Sequence, residues 1–175
     1  DSLKNVKLSV NLNRTKKYTT DSKGQINVST AAFAPGTYPV DVAFGGNEIY
    51  SESNSTAKLT VVKCTTKLTA NSVSTKYGEN NDLIVILKDN HGNPINDVQV
   101  SVDLNGVENY TTDNEGQINV STSKLAPGTY IAKIHFGEDD YCFGCDMKTI
   151  VEVKKSATQI IARSVETTYN SGVFS

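Results

Sequence analysis

The chain of 175 residues carries 17 basic and 19 acidic side chains, for a formal charge of −2. Interleaved in this way they leave no basic stripe for nucleic acid and no polybasic anchor, and the longest apolar run, Leu83 to Leu87, is far too short to cross a bilayer. Abundant Ser, Thr and Asn with no Trp and one Met describe a polar chain of small side chains, in which Thr, Val, Ile and Tyr suit a pleated surface. No leader peptide is legible, which suits a mature or excised segment as well as a cytosolic chain.

In chain order, one unit is read nearly twice. Gln25-Ile-Asn-Val-Ser-Thr30 returns letter for letter as Gln117 to Thr122, and Ala34-Pro-Gly-Thr-Tyr38 returns as Ala126 to Tyr130. Tyr18 and Tyr110, Asp21 and Asp113, Gly24 and Gly116, Phe44 and Phe136, and Tyr77 and Tyr169 keep the same 92-residue offset. A fixed period of this length means one structural unit per period.

Residues 1–62 correspond to the back of a unit that lacks its first two strands. Val6, Leu8, Val10 and Leu12 alternate with polar neighbours as a strand with one buried face. Asp21-Ser-Lys-Gly24 fits a tight turn whose last residue takes a positive φ, Ile26 and Val28 make the next strand, and Tyr38, Val40, Val42 and Phe44 make another. Leu59 to Val62 close the unit. The absent strands correspond to those bearing Leu68, Val73, Leu83, Val85 and Leu87; at roughly 1.5 to 3 kcal/mol per buried side chain this removes about 8 to 15 kcal/mol. Residues 1–62 are therefore not expected to hold a sandwich alone.

Residues 63–154 form a complete unit, with the junction near Val62 to Thr65. Strand A carries Leu68, Ala70 and Val73. Strand B carries Leu83, Val85 and Leu87, with Ile84 and Ile86 on a second face that reads as covered too. The turn Asp89-Asn-His-Gly-Asn-Pro94 precedes Val98 to Leu104; then come Val107 to Thr112, Ile118 with Val120, Tyr130 to Phe136 and Thr149 to Val153. Seven short strands in about 90 residues, with no helical periodicity, predict an all-β fold of tandem immunoglobulin-like two-sheet β-sandwiches. Residues 155–175 read as the first strand of a further repeat, Ile160, Ala162, Val165 and Tyr169 matching Leu68, Ala70, Val73 and Tyr77.

The run Tyr77-Gly-Glu-Asn-Asn-Asp-Leu-Ile-Val-Ile-Leu-Lys88, the Asp-Asn-His-Gly-Asn-Pro-Ile turn, Thr111-Thr-Asp-Asn-Glu-Gly-Gln117, Leu125-Ala-Pro-Gly-Thr-Tyr130 and His135-Phe-Gly-Glu-Asp-Asp-Tyr141 follow one another in an order that resembles the bacterial-type immunoglobulin-like repeats of archaeal, notably methanogen, adhesin-like surface proteins. The resemblance covers nearly the whole chain. It implies a non-catalytic stalk segment of a large extracellular protein on the cell surface, spacing and presenting binding modules; it implies no ligand. The expected partners are neighbouring repeats or copies of itself, with cell-wall or host-surface glycan or protein engaged through other modules, and neither nucleic acid nor membrane. Two alternatives stand beside this reading. The chain is a filament subunit in which the tail 156–175 completes residues 1–62 of a neighbour by strand donation, or it is itself a glycan- or protein-binding module.

No catalytic constellation, cofactor motif or metal motif is legible. His91 sits in a turn and His135 lies with Ile131 and Lys133 on the polar side of a strand, with no nucleophile, paired carboxylate or phosphate loop to accompany them. The cysteines are the unusual feature. Cys142-Phe-Gly-Cys145 occupies the loop before the last strand, at the pole where Cys64 begins strand A, and a β-turn across Phe143-Gly144 would bring Cys142 and Cys145 within disulfide range. That pair is favoured, with Cys64 to either one as rival; free thiols, or a zinc site using the three cysteines and His135, are the remaining readings. Glu138, Asp139, Asp140 and Asp146 have ligand types for calcium but suit a solvated loop better. Asn13, Asn27, Asn54, Asn109 and Asn119 each begin an Asn-x-Ser/Thr glycosylation triplet. Composition alone gives about 3.4 such triplets, so the pair at one repeat position, Asn27 and Asn119 on the polar side of their strand, is the first place to look for glycan.

Overall fold

The computed structural model describes residues 2–167 and 169. Every element in them is a β-strand. In residues 1–62 four strands, β1 (Lys7–Leu12), β2 (Arg14–Thr19), β3 (Gly36–Phe44) and β4 (Ser53–Val61), form one antiparallel sheet in the order β2-β1-β3-β4. The second unit holds β5 (Thr66–Ala70), β6 (Val73–Lys76), β7 (Leu83–Asp89), β8 (Gln99–Asp103), β9 (Val107–Thr111), β10 (Gln117–Val120), β11 (Gly128–Phe136) and β12 (Cys145–Lys154). These build two facing sheets, β10-β7-β5 and β6-β12-β11-β8-β9. The result is an immunoglobulin-like sandwich.

Alternation in sequence becomes the core directly. Leu83, Val85 and Leu87 of β7, Ile118 and Val120 of β10 and Leu68 of β5 meet Val100, Val102, Ala132, Ile134, Phe136, Val151 and Val153 from the opposite sheet, all buried. The other face of β7 departs from expectation. Ile84 is 47% exposed, because nothing among the described residues lies over this side of the three-stranded sheet. Strand A also divides. β5 pairs antiparallel with β7, whereas β6, past Asn71-Ser72, crosses to the other sheet and runs parallel to β12, Val73 to Lys76 opposite Val151 to Lys154. This crossover gives the complete unit eight strands where the alternation alone predicted seven.

The repeated blocks prove to be joints. The Tyr38 hydroxyl donates to the Ala34 carbonyl at 2.8 Å and the Tyr130 hydroxyl to that of Ala126 at 2.9 Å, so each Ala-Pro-Gly-Thr-Tyr block ties the start of a strand back to the loop before it, as a tyrosine corner does. The Asp21 carboxylate accepts the Lys23 and Gln25 amides, and Asp113 accepts those of Glu115 and Gln117. Gly116 closes the second of these turns at φ 71°, and a Cβ there would stand 2.4 Å from the Leu87 carbonyl oxygen. A side chain at that position would force β7 away.

Two stretches read as strands are not strands. Gln25 to Thr30, identical to the segment containing β10, carries no strand. β10 exists because its backbone pairs with β7, Ile118 opposite Val85 and Val120 opposite Leu83, and residues 1–62 contain no counterpart of β7. Unpaired, Ile26 and Val28 stay half-buried, as do Leu8, Val40, Val42 and Phe44, whereas their equivalents Val100, Ala132, Ile134 and Phe136 are buried. The described part of the tail, 155–167 with Tyr169, likewise holds no strand, and Ile160 is 94% exposed. β5 is held by β7, whereas among the described residues no strand pairs with the tail. The rest of that expected strand A lies outside the described residues.

The two units should therefore respond differently to the same lesion. Phe136→Ala is expected to cost about 3 to 5 kcal/mol, the usual range for a buried Phe, and Phe44→Ala less than half of that in the 175-residue chain. Urea unfolding of the two variants followed by far-ultraviolet circular dichroism measures the difference.

Candidate functional site

Several interactions between residues distant in sequence converge where the chain enters the second unit. Cys64 lies between β4 and β5, and the loop after β11 passes beside it. The Cys64 amide donates to the Tyr141 carbonyl at 2.9 Å, and the Phe143 amide donates to the Cys64 carbonyl at 2.9 Å, an isolated parallel bridge of Cys64 with Cys142. With their Cα atoms 4.5 Å apart, Cys64 and Cys142 are joined by a disulfide across 78 positions of sequence. Cys142 is buried; Cys145 is a free thiol, half-buried at the start of β12 opposite Phe136.

The favoured pairing of Cys142 with Cys145 is thus replaced by its rival. The reason lies in Gly144, which is there for a close backbone approach and not for a β-turn: a Cβ on it would lie 2.7 Å from the Phe136 carbonyl oxygen and 2.9 Å from the Glu138 amide nitrogen. That approach lets residues 141 to 143 run extended along Cys64. With two sulfurs joined to each other, the three cysteines and His135 do not form a metal-ligand set, and His135 Nδ1 instead lies 2.7 Å from Asp146 Oδ1.

Side chains around the bridge tighten the same contact. Lys63 donates to Glu138 Oε1 at 2.5 Å and to the Asp139 carbonyl at 2.6 Å, with its ammonium 6.0 Å from the Phe143 ring centroid. The Thr66 hydroxyl donates to the Phe143 carbonyl at 2.8 Å. Asp139 accepts the amides of Tyr141 and Cys142 at 2.8 and 2.7 Å, which shapes the loop. Of the four acids considered for calcium, then, Glu138 is held by Lys63, Asp139 by its own loop and Asp146 by His135, and they do not converge. Among the described residues no group of three His, Cys, Asp or Glu is placed to hold a metal ion. His91 stays in its turn, where the Asp89 carboxylate accepts the amides of His91 and Asn93 and the Asn93 side chain; that side-chain bond holds the Asp89 carboxyl below the usual range.

All five triplet asparagines are exposed. Asn13 sits in the β1–β2 hairpin at φ 59°, Asn54, Asn109 and Asn119 lie on the outermost strands β4, β9 and β10, and Asn27 lies in the unpaired copy of β10. Tyr110 lies away from the junction, on β9. Burial, and then a 2.6 Å hydrogen bond to Glu108 with its charge, push the phenol up to about 12.

No protein-family model and no curated protein matches the chain. Among solved structures it is similar to domains 4–9 of the surface layer protein SbsC (23% identity over 70% of this chain and 18% of that one, TM-score 0.44) and to fibronectin(III)-like modules of Clostridium thermocellum CbhA (16% identity over 94% and 87%, TM-score 0.39). Domains 4 and 5 of SbsC give 20% identity over 69% and 58%, with a TM-score of 0.40. The chain spans under a fifth of the longer SbsC segment. At these scores the fold rests on the strand pairing above, which defines an all-β, immunoglobulin-like repeat.

Two outcomes follow from this geometry. Cys64→Ser and Cys142→Ser should each lower stability by about 4.5 kcal/mol, the chain-entropy figure for a loop of this length, while Cys145→Ser should leave it nearly unchanged; guanidinium titrations with and without reductant, alongside non-reducing peptide mapping, decide. For Tyr110 the raised folded value means that the native state keeps its proton longer than the unfolded chain. Stability from this group is complete below pH ~10 and is lost as pH rises towards ~12. Tyr110→Phe should remove that alkaline loss, as read from pH-dependent unfolding against wild type.

Proposed function

We propose that this chain is a non-catalytic structural segment of a large extracellular adhesin-like surface protein, a spacer that holds binding modules away from the cell. One observation carries the reading: what recurs at the 92-residue period is what builds the sandwich. The Tyr38 and Tyr130 ties, the Asp21 and Asp113 turns and the core positions recur, while most of the exposed surface outside the two repeated blocks, whose exposed Asn27 and Asn119 do recur, varies from unit to unit. A ligand site copied along an array would be expected to repeat its exposed side chains. The Cys64–Cys142 disulfide supports a setting outside a reducing cytosol, and the exposed Asn27 and Asn119 are the proposed glycan positions. An archaeal, methanogen-like source stays with the resemblance of the sequence motifs alone.

A second reading is favoured by the half-open apolar face of residues 1–62. In it the tail 156–175 of another copy covers that face, and copies join head to tail into a filament. The tail's Ile160 and Ile161 are exposed and available for this. A third reading, a glycan- or protein-binding module in its own right, needs an exposed platform, and flat aromatic rings serve best there; the chain has no Trp.

Light scattering on the chain with and without residues 156–175 separates the readings. The spacer reading expects the same mass for both. Assemblies that vanish on deletion would replace it with strand donation, and a glycan array bound by this segment but not by a neighbouring repeat would replace it with the binding module.

A further inference from the structure

We infer that in the second unit tension bypasses the fold through a covalent shunt made of the Cys64–Cys142 disulfide and strand β12. The chain enters this unit at Lys63-Cys64 and leaves it at Lys154-Lys155. Without the disulfide, a pull on these two points loads β6 against β12. They are parallel neighbours over four residue pairs, so their hydrogen bonds are sheared together and resist as a group until they fail. Everything between Cys64 and Lys154 then extends.

With the disulfide formed, the shortest covalent route from entry to exit is different. It runs from Cys64 across the sulfurs to Cys142, through Phe143 and Gly144, and along the ten residues of β12. The intervening chain, including β5 to β11, hangs on this route as a closed loop and carries no load. β12 is already a strand, rising about 3.2 to 3.4 Å per residue against a limit of roughly 3.6 Å. The route therefore has little length left to give, no more than about 10 Å. β12 is also held on both sides, by β11 over nine residue pairs and by β6 over four. The Lys63–Glu138 pair and the Thr66–Phe143 bond keep the entry point against the loop that carries the shunt.

The device belongs to this unit. Position 50, equivalent to Cys142, is Tyr, and position 156, equivalent to Cys64, is Ser, whose hydroxyl donates to the Tyr77 carbonyl. No cysteine lies in residues 1–62 at all. An array with shunted and unshunted units would have stiff and extensible segments in series.

The biological load exists only if the chain is a stalk, as proposed above, but the route itself is read on the purified protein. The test is single-molecule pulling of the 175-residue chain between handles at its two ends, in a Cys145→Ser background that prevents thiol exchange, first oxidised and then reduced. Reduction should lengthen the fully extended chain by about 270 Å, 78 positions at roughly 3.5 Å each. The oxidised chain should show no unfolding step from the second unit longer than about 10 Å. Total length depends on the covalent path, so the gain is read even if the reduced unit fails to refold, and Cys64→Ser should reproduce the reduced length without reductant. Equal lengths in the two redox states would overturn the inference, as would an oxidised chain that still gives a step of hundreds of ångströms. If the length gain appears but the stalk reading fails by scattering or glycan binding, the shunt stands as a property of the fold.

Discussion

The pairing of β10 with β7 decides the form of the second unit. Gln117 to Thr122 and Gln25 to Thr30 are the same six residues, yet four of them form a strand in one place and none in the other. An extended backbone exposes its amide and carbonyl groups on both edges, and these must bond to something. Where β7 supplies that edge, Ile118 and Val120 are carried into the core and the sandwich closes. Where it is missing, the same apolar side chains rest half-covered against a single sheet. Propensity and alternation are local properties; a strand is a pair.

The same dependence explains which parts of the fold were legible in the sequence. The 92-residue period, the alternating faces of β1, β3, β7, β8 and β11 and the Asp-x-x-Gly turns each depend on residues within a few positions of one another, and they were readable. The split of strand A was not, because the crossover at Asn71-Ser72 has no Gly or Pro to mark it and depends on the free edge of β12. Ile84 carried a misleading signal. A run of apolar residues on both faces of a strand reads as double burial, but here the outer face stays open.

The junction shows the limit for sites. Three cysteines admit three pairings, and the local cue, a Phe-Gly pair between Cys142 and Cys145, favours a turn. Gly144 serves another purpose, the close pass against Phe136 and Glu138 that straightens residues 141 to 143 alongside Cys64. Only the position of one loop against a segment 78 residues away reveals this. Lys63 and Thr66, which complete the contact, carry no motif that sequence reading could have used. Asn27 and Asn119 were placed on a polar face by alternation alone, and both are exposed.

Two identical copies of one segment also pose a problem of choice while the chain is folding. β7 meets Gln25 to Val28 on one side of it in sequence and Gln117 to Val120 on the other, about 55 and 37 residues away from Leu83, and loop closure distinguishes these by only about 0.4 kcal/mol. Backbone and side chains offer β7 the same partner in the same register both times. Discrimination falls to the flanks: Leu125 in place of Phe33, and the bond from Cys64 to Cys142, which closes a loop around the correct copy and leaves the other outside it. In a tandem array every strand of this kind has a duplicate one period away, and a crosslink confined to one unit fixes which copy belongs to it.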